Sequence, residues 1–117
     1  MNPPYLLLVD DEEALAGLLK RYLERLGYQV DACLNPQDAL DFLDANPQRY
    51  ELLITDMTLP VMNGEELLEK ARARAPGLRA IIASGYPYDP RAEGVAFLQK
   101  PFLPKMLAEA IERMLQA

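Results

Sequence analysis

The sequence predicts an α/β fold: a doubly wound, five-stranded parallel sheet with helices on both faces. Two observations support this prediction. Five short apolar segments alternate with amphipathic helical segments along the 117 residues, and this alternation builds parallel sheets through right-handed crossovers. Polar side chains stand at four of the predicted strand ends, and such sheets bind ligands beyond the carboxyl ends of their strands. We therefore expect the function to lie at one edge of the sheet.

The first half of the chain supplies two strands and two helices. Residues 5–9 are apolar throughout, as in a strand covered on both faces. Leucines at helical spacing predict a helix over 11–26, which Gly27 ends as a left-handed cap. Residues 28–33 form a second strand, and Asn35 and Pro36 begin a second helix as N-cap and first helical residue. The residues expected to face inward from that helix are Ala39, Leu40, Phe42 and Leu43.

The second half supplies three strands and two helices. A strand over 51–56 leads through a loop at 60–64 into a helix over 65–75, which Pro76 and Gly77 stop. Further strands are predicted over 79–83 and 95–98. A last amphipathic helix is predicted over 104–115, with Leu107, Ile111, Met114 and Leu115 facing inward.

Composition narrows the possible functions. Eighteen acidic residues against twelve basic ones give a formal charge of -6, which disfavours nucleic acid as a partner. The chain has no histidine and Cys33 is its one cysteine, so Cys/His zinc sites and Ser-His or Cys-His nucleophile pairs are excluded. Carboxylates are the charged metal ligands that remain.

Length and hydropathy indicate one domain over residues 1–117. The longest apolar runs have the length of strands, and neither a basic stretch nor a long apolar run follows Met1. We expect a soluble, cytoplasmic protein with no membrane partner. Because the chain starts at Met1, we also expect it to be free-standing.

The polar strand ends form a candidate site. They are Asp10 and Asp11 after the first strand, Asp56 at the end of the third, Ser84 after the fourth and Lys100 after the fifth. Each alone is typical of a helix cap, a turn or a solvated lysine. Together, three carboxylates at one sheet edge would repel each other without a cation nearby, and Mg²⁺ prefers oxygen ligands of this kind. A carboxylate so neutralised is a competent nucleophile toward phosphorus.

Four stretches also resemble a known family. They are Leu-Val-Asp-Asp-Glu at 8–12, Leu-Ile-Thr-Asp-Met-Thr-Leu-Pro-Val-Met-Asn-Gly at 53–64, Ala-Ser-Gly-Tyr at 83–86 and Phe-Leu-Gln-Lys-Pro-Phe at 97–102. In this order and spacing they are similar to the receiver domains of two-component response regulators, including the chemotaxis response regulator and the receivers of hybrid kinases. The resemblance covers essentially the whole chain and implies a flavodoxin-like strand order 2-1-3-4-5.

The resemblance implies a role for each site residue. Asp56 is expected to be phosphorylated. Asp10, Asp11, Asp56 and the backbone carbonyl of Thr58 are expected to hold Mg²⁺ or Mn²⁺, with Asp11 a more direct ligand than Asp10. Lys100 would pair with the phosphoryl oxygens and the Ser84 hydroxyl would donate to them.

The resemblance also implies a switch and a partner. A cis bond before Pro101 would aim Lys100 into the site. Ser84 and Phe97 occupy the positions of the family's switch pair, although Phe97 is equally typical of plain core, and Thr58 and Tyr86 occupy positions that tune phosphoryl hydrolysis. The phosphodonor would be a sensor histidine kinase or a histidine phosphotransfer protein, and the downstream partner is left open.

One segment departs from the family pattern. From Ser84 to Lys100 is sixteen positions, and Pro87 and Pro90 lie among them. This is short by roughly a turn and a half of helix, and proline lacks the N–H that a helix interior needs. We expect the fourth helix to be short or missing, with at most a single turn at 90–93.

Three competing hypotheses share parts of this pattern. A flavodoxin-type cofactor protein would need a first loop that cradles phosphate, which Asp10 and Asp11 would repel. An aspartyl phosphatase would need a second acid two residues after Asp56, where Thr58 stands. The third is an unphosphorylated pseudo-receiver that only binds partners. We expect a phosphoacceptor switch and not an enzyme with external substrates, acting as a phosphate shuttle, a sink or a regulator that docks on another protein.

Overall fold

The chain folds into one parallel sheet with helices on both faces. The computed structural model describes residues 3–90 and 92–116. The strands are β1 Tyr5–Val9, β2 Gln29–Cys33, β3 Leu52–Asp56, β4 Arg79–Ser84 and β5 Val95–Gln99. The helices are α1 Glu13–Arg25, α2 Pro36–Ala45, α3 Gly64–Arg74 and α4 Pro104–Gln116. The sheet is parallel throughout, in the order β2-β1-β3-β4-β5, which confirms the predicted fold class.

Alternation along the strands divides the core into two layers. In β1, Leu6 and Leu8 pack with α1 and α4, whereas Leu7 and Val9 pack with α2 and α3. All four are almost completely buried. Because both faces of the strand are covered, its sequence is apolar at every position.

The first helix begins two residues later than predicted. Its N-cap is Glu12, whose side chain makes no capping hydrogen bond. The Oδ1 atom of Asp10 accepts the Glu12 N–H at 2.9 Å, so Asp10 itself lies outside the helix. The other end agrees with the prediction, since Gly27 follows the C-cap with a φ of 101° that favours glycine.

The second helix confirms its predicted start and corrects one inward residue. Asn35 accepts the backbone N–H of Asp38 at 2.8 Å, and Pro36 is the first helical residue. Ala39, Leu40 and Leu43 are buried, but Phe42 is 38% exposed. The prediction for Phe42 was wrong because it lies beside the buried stripe of a helix that covers the sheet with one face only.

The connection between β4 and β5, residues 85–94, contains no helix in its described part, as the sequence predicted. The expected turn at 90–93 includes Arg91, which lies outside the described residues. The Tyr88 hydroxyl donates to Glu65 of α3 at 2.5 Å, and its ring lies edge-on to Phe97, with centroids 6.3 Å apart. Arg72 of α3 donates to the carbonyl oxygens of Leu78 and Glu93, both at 2.8 Å. Side-chain contacts with α3, and not a helix within the connection, thus keep this segment in position.

No helix in the described ranges combines the length and hydropathy that a bilayer span requires.

Candidate functional site

Backbone hydrogen bonds continue the sheet past its carboxyl ends and fix the site residues there. The Asp10 N–H donates to the Cys33 carbonyl at 3.1 Å, and the Lys100 N–H donates to the Ser84 carbonyl at 2.8 Å. Asp56 is itself the last residue of β3 and is paired in register with Ala83 of β4. Four strands therefore place the predicted residues along one edge.

Three carboxylates meet at this edge. One oxygen from each of Asp10, Asp11 and Asp56 lies within 4.8 Å of the other two. Asp10 and Asp56 are only 4% and 6% exposed, whereas Asp11 is exposed. Close like charges with little solvent raise the energy of the ionised site, so the arrangement favours a cation.

Lys100 supplies one positive charge. Its Nζ donates to Oδ1 of Asp56 at 2.9 Å. Burial raises the pKa of Asp56, the Lys100 ammonium opposes this and the Asp10 charge adds to it, so the pKa of Asp56 rises to about 6. Burial by itself lowers the pKa of Lys100, but the hydrogen bond to Asp56 and the charges of Asp56, Asp10 and Asp11 outweigh it and raise that pKa. At neutral pH, Asp56 is thus mainly an ionised carboxylate beside an ammonium.

The residues that could hold a metal are oxygen donors. The three carboxylates converge while the chain lacks histidine. Burial, with Asp38 and Asp31 nearby, raises the pKa of the Cys33 thiol to about 12, so the thiol stays protonated. A set of oxygens alone fits a hard divalent cation such as Mg²⁺ or Mn²⁺.

A cleft of about 660 Å³ opens beside Asp56. Its walls bring together four of the predicted residues, namely Asp56, Thr58, Ser84 and Lys100, with Pro101 next to them. The peptide bond between Lys100 and Pro101 is cis, as expected. Ser84 is 3% exposed, and its Oγ accepts the Tyr86 N–H at 3.3 Å, so the hydroxyl proton remains available to donate.

Four predicted residues are not among those that line this cleft: Asp10 and Asp11, which converge with Asp56, and Tyr86 and Phe97, which do not. Tyr86 is 58% exposed beyond Ser84, and Phe97 lies on the sheet face that α3 covers, against Tyr88. The structure therefore separates Phe97 from the carboxylates.

Sequence reasoning missed the role of Gly64. Its N–H donates to the Met57 carbonyl at 2.8 Å, and a Cβ atom added at residue 64 would lie 2.5 Å from the Asp56 carbonyl oxygen. Only glycine lets α3 begin so close to Asp56. The neighbouring residues carried a readable signal, because Asn63 and Glu66 form a capping box and their spacing is its signature.

Gln99 was also missed. Its Nε2 donates to the carbonyl oxygens of Gly85 and Lys100, at 3.0 and 3.2 Å. This side chain links the segment after Ser84 to the segment after Lys100. An exposed glutamine at the end of a strand gave no signal of this role.

The loop before α3 contains a strained residue. Val61 has a φ of 75° and is 99% exposed, and the Met62 N–H donates to the Pro60 carbonyl at 2.9 Å. This three-residue turn is unfavourable for a β-branched side chain.

The fold and the site define an α/β protein with an acidic, lysine-containing centre at the carboxyl edge of its sheet. The chain belongs to the response regulator receiver domain family, whose model matches residues 6–112. It is therefore a receiver domain of the two-component systems.

Proteins similar to this chain support its assignment to this family. The chain is 32% identical over 116 residues to the sensor kinase CckA of Brucella abortus (strain 2308), covering 94% of this chain and 12% of the kinase. It is 31% identical over 118 residues to the response regulator receiver protein CpdR of the same organism, covering 96% of this chain and 97% of CpdR. The crystal structure of the receiver domain from the hybrid histidine kinase CckA superposes with a TM-score of 0.86 at 34% identity, covering 95% of this chain and 98% of that one.

Proposed function

We propose that this chain is a phosphoacceptor switch, in which Asp56 takes a phosphoryl group from a phosphohistidine on a partner kinase or phosphotransfer protein. The observation that carries the proposal is the 2.9 Å contact between Lys100 and Asp56 inside a cluster of three carboxylates. A structural ion pair would need one acid, and the two further acids make the site costly unless it binds a cation.

In the transfer step, a carboxylate oxygen of Asp56 forms a bond to phosphorus as the donor's P–N bond breaks, and the imidazole leaves with that electron pair. Asp56 needs no general base, because with a pKa of about 6 it is already ionised at neutral pH. Lys100 and Ser84 line the same cleft as Asp56, so Lys100 would pair with one oxygen of the incoming phosphoryl group and the Ser84 hydroxyl would donate to another. These contacts position the group and spread its charge.

Asp10, Asp11, Asp56 and the backbone carbonyl of Thr58 would hold Mg²⁺ or Mn²⁺. When bound, the ion neutralises the carboxylates and the charge that develops on the phosphoryl oxygens.

Phosphorylation would act on partners through Ser84 and Phe97. Movement of the Ser84 hydroxyl toward the phosphoryl group would shift the end of β4, next to the β5 strand that carries Phe97. Phe97 is partly buried and has no hydroxyl, so its response would depend on apolar burial. Thr58 and Tyr86 flank the site and would set how fast water removes the phosphoryl group, with a bulky ring at 86 slowing it.

The cleft also suits a protein donor. Leu15 of α1 and Phe102 after the cis bond give its outer wall an apolar character, which a docking protein would cover. We propose that residues 1–117 act as a single receiver unit whose chemistry is limited to uptake of the phosphoryl group, from a partner or a small phosphodonor, and its hydrolysis.

Intact-mass spectrometry tests this proposal. The chain is incubated with acetyl phosphate, with and without Mg²⁺, and compared with Asp56→Asn and with Asp41→Asn, a control on the exposed face of α2. We expect a gain of one phosphoryl group that requires Mg²⁺, persists in Asp41→Asn and is lost in Asp56→Asn. No gain by a folded wild-type chain would contradict the proposal and favour the pseudo-receiver hypothesis.

A further inference from the structure

The sheet face that carries α2 and α3 is incompletely covered at its β5 edge. In the described residues α3 is the last helix on this face, and Val95 and Phe97 of β5 remain partly exposed. A groove of about 430 Å³ lies between α3 and the connection 85–94. We call it the α3 groove. Its size falls in the range of about 300–1,000 Å³ that is typical of binding clefts.

The floor of the α3 groove is apolar. Leu68 of α3, Ile82 of β4 and Val95 of β5 line it, and Tyr88 forms one wall. Leu68 and Ile82 belong to the buried core and are 6% and 0% exposed. These two residues close the groove from below with close-packed core, and the partly exposed Val95 and Tyr88 supply its apolar surface.

The rim of the α3 groove is acidic. Glu65, Glu69 and Asp89 stand around it, and among the lining residues that the structure describes Arg72 is the one basic residue. The Nε and one terminal nitrogen of Arg72 already donate to the carbonyl oxygens of Leu78 and Glu93, which holds the guanidinium against the protein's own backbone. An occupant would meet apolar surface below and negative charge at the sides.

We propose that the α3 groove docks an amphipathic segment of a partner protein in which apolar side chains are flanked by lysine or arginine. Helices with one apolar stripe bind grooves of this kind, and basic flanks match the three rim carboxylates. The docking does not require phosphorylation of Asp56, and it is tested on the unphosphorylated chain.

Charge distinguishes this occupant from a second copy of the chain. Two copies each carry a net charge of -6 and repel one another, whereas a cationic segment is attracted. Nucleic acid is repelled by the same rim.

The test uses ¹⁵N-labelled chain and a designed 18-residue helical peptide with leucines at i, i+3, i+4 and i+7 and lysines beside them. A matched peptide replaces the lysines with glutamates, and a second replaces the leucines with serines. At about 0.15 M salt, we expect the basic peptide to shift the amide signals of Leu68, Ile82 and Val95, and neither control peptide to do so.

Two variants locate the site. Glu69→Lys reverses a rim charge and should weaken binding roughly fivefold, since exposed charge pairs contribute up to about 1 kcal/mol. Glu109→Lys makes the same change on the exposed face of α4, away from the groove, and should leave the affinity within about twofold. Equal weakening by both variants, or equal binding of the glutamate peptide, would overturn the proposal. Concentration-dependent shifts of the groove signals without peptide would also overturn it by making a second copy the occupant.

Discussion

The carboxyl edge of the sheet and the connection 85–94 are neighbours built in different ways. Asp10, Asp56 and Lys100 are held by strands and by backbone hydrogen bonds between them. The connection has no regular element in its described residues and is held by side chains, through Tyr88 to Glu65 and through Arg72 to Glu93. The geometry of the carboxyl edge therefore does not depend on a helix in the connection, whereas the surface beside the edge depends on the side-chain contacts found there instead.

The largest expected effect belongs to the carboxyl edge of the sheet, at Gly64. Gly64→Ala should lower the free energy of unfolding by about 2–3 kcal/mol, as overpacking does, because the new Cβ would lie 2.5 Å from the Asp56 carbonyl oxygen. Phosphoryl uptake should fall with it. Urea unfolding and intact-mass spectrometry measure the two effects.

Gly17→Ala is the matched control. A Cβ atom there meets nothing within 4 Å, and Gly17 lies inside α1, so this change should raise the free energy of unfolding by about 0.5–1 kcal/mol. If Gly64→Ala had the same free energy of unfolding as the wild type, the close approach of α3 to Asp56 would not require glycine at residue 64.

Tyr88 tests the other side of the comparison. Tyr88→Ala should lower the free energy of unfolding by about 1–2 kcal/mol, because the ring packs on Phe97 and on the core. Tyr88→Phe removes only the hydrogen bond to exposed Glu65 and should cost about 0.5 kcal/mol. Both variants should keep full phosphoryl uptake from acetyl phosphate. Loss of uptake in either would show that the two regions are not independent.

Asp10→Asn should raise the free energy of unfolding by about 1 kcal/mol in buffer with EDTA, since it removes a buried charge that repels Asp56. The asparagine Oδ1 can still accept the Glu12 N–H that Asp10 accepts now. The gain should disappear when Mg²⁺ is added to both proteins. Asp11→Asn changes an exposed residue and should give a smaller gain. A loss of stability in Asp10→Asn would mean that repulsion between the carboxylates does not destabilise the folded chain.

Val61→Asn is expected to give a small gain of about 0.5 kcal/mol, because asparagine tolerates a positive φ better than valine does. Val61→Thr keeps the β-branch at the same exposed position and should give no gain. Urea unfolding of both variants measures the difference. Equal stabilities would mean that the positive φ of Val61 does not destabilise the loop.

The sequence predicted the strands and helices because hydrophobic spacing and caps act locally. It predicted the edge cluster because parallel strands bring their carboxyl ends together, and the structure places Asp10, Asp11, Asp56 and Lys100 accordingly. It could not predict the Phe42 exposure, which depends on how α2 is rotated against the sheet. The contacts of Gly64 and Gln99 likewise depend on how closely separate segments approach each other in the fold, and the spacing of residues along the sequence does not indicate this.

Helix α3 joins the two regions mechanically. It begins against Asp56 at Gly64, and its residues Glu65 and Arg72 hold the connection 85–94. From Gly64 to Arg72 the helix rises about 12 Å, so a tilt of about 5° around its first turn would carry the far end by about 1 Å. A small tilt of α3 at Asp56 would therefore move one wall of the α3 groove.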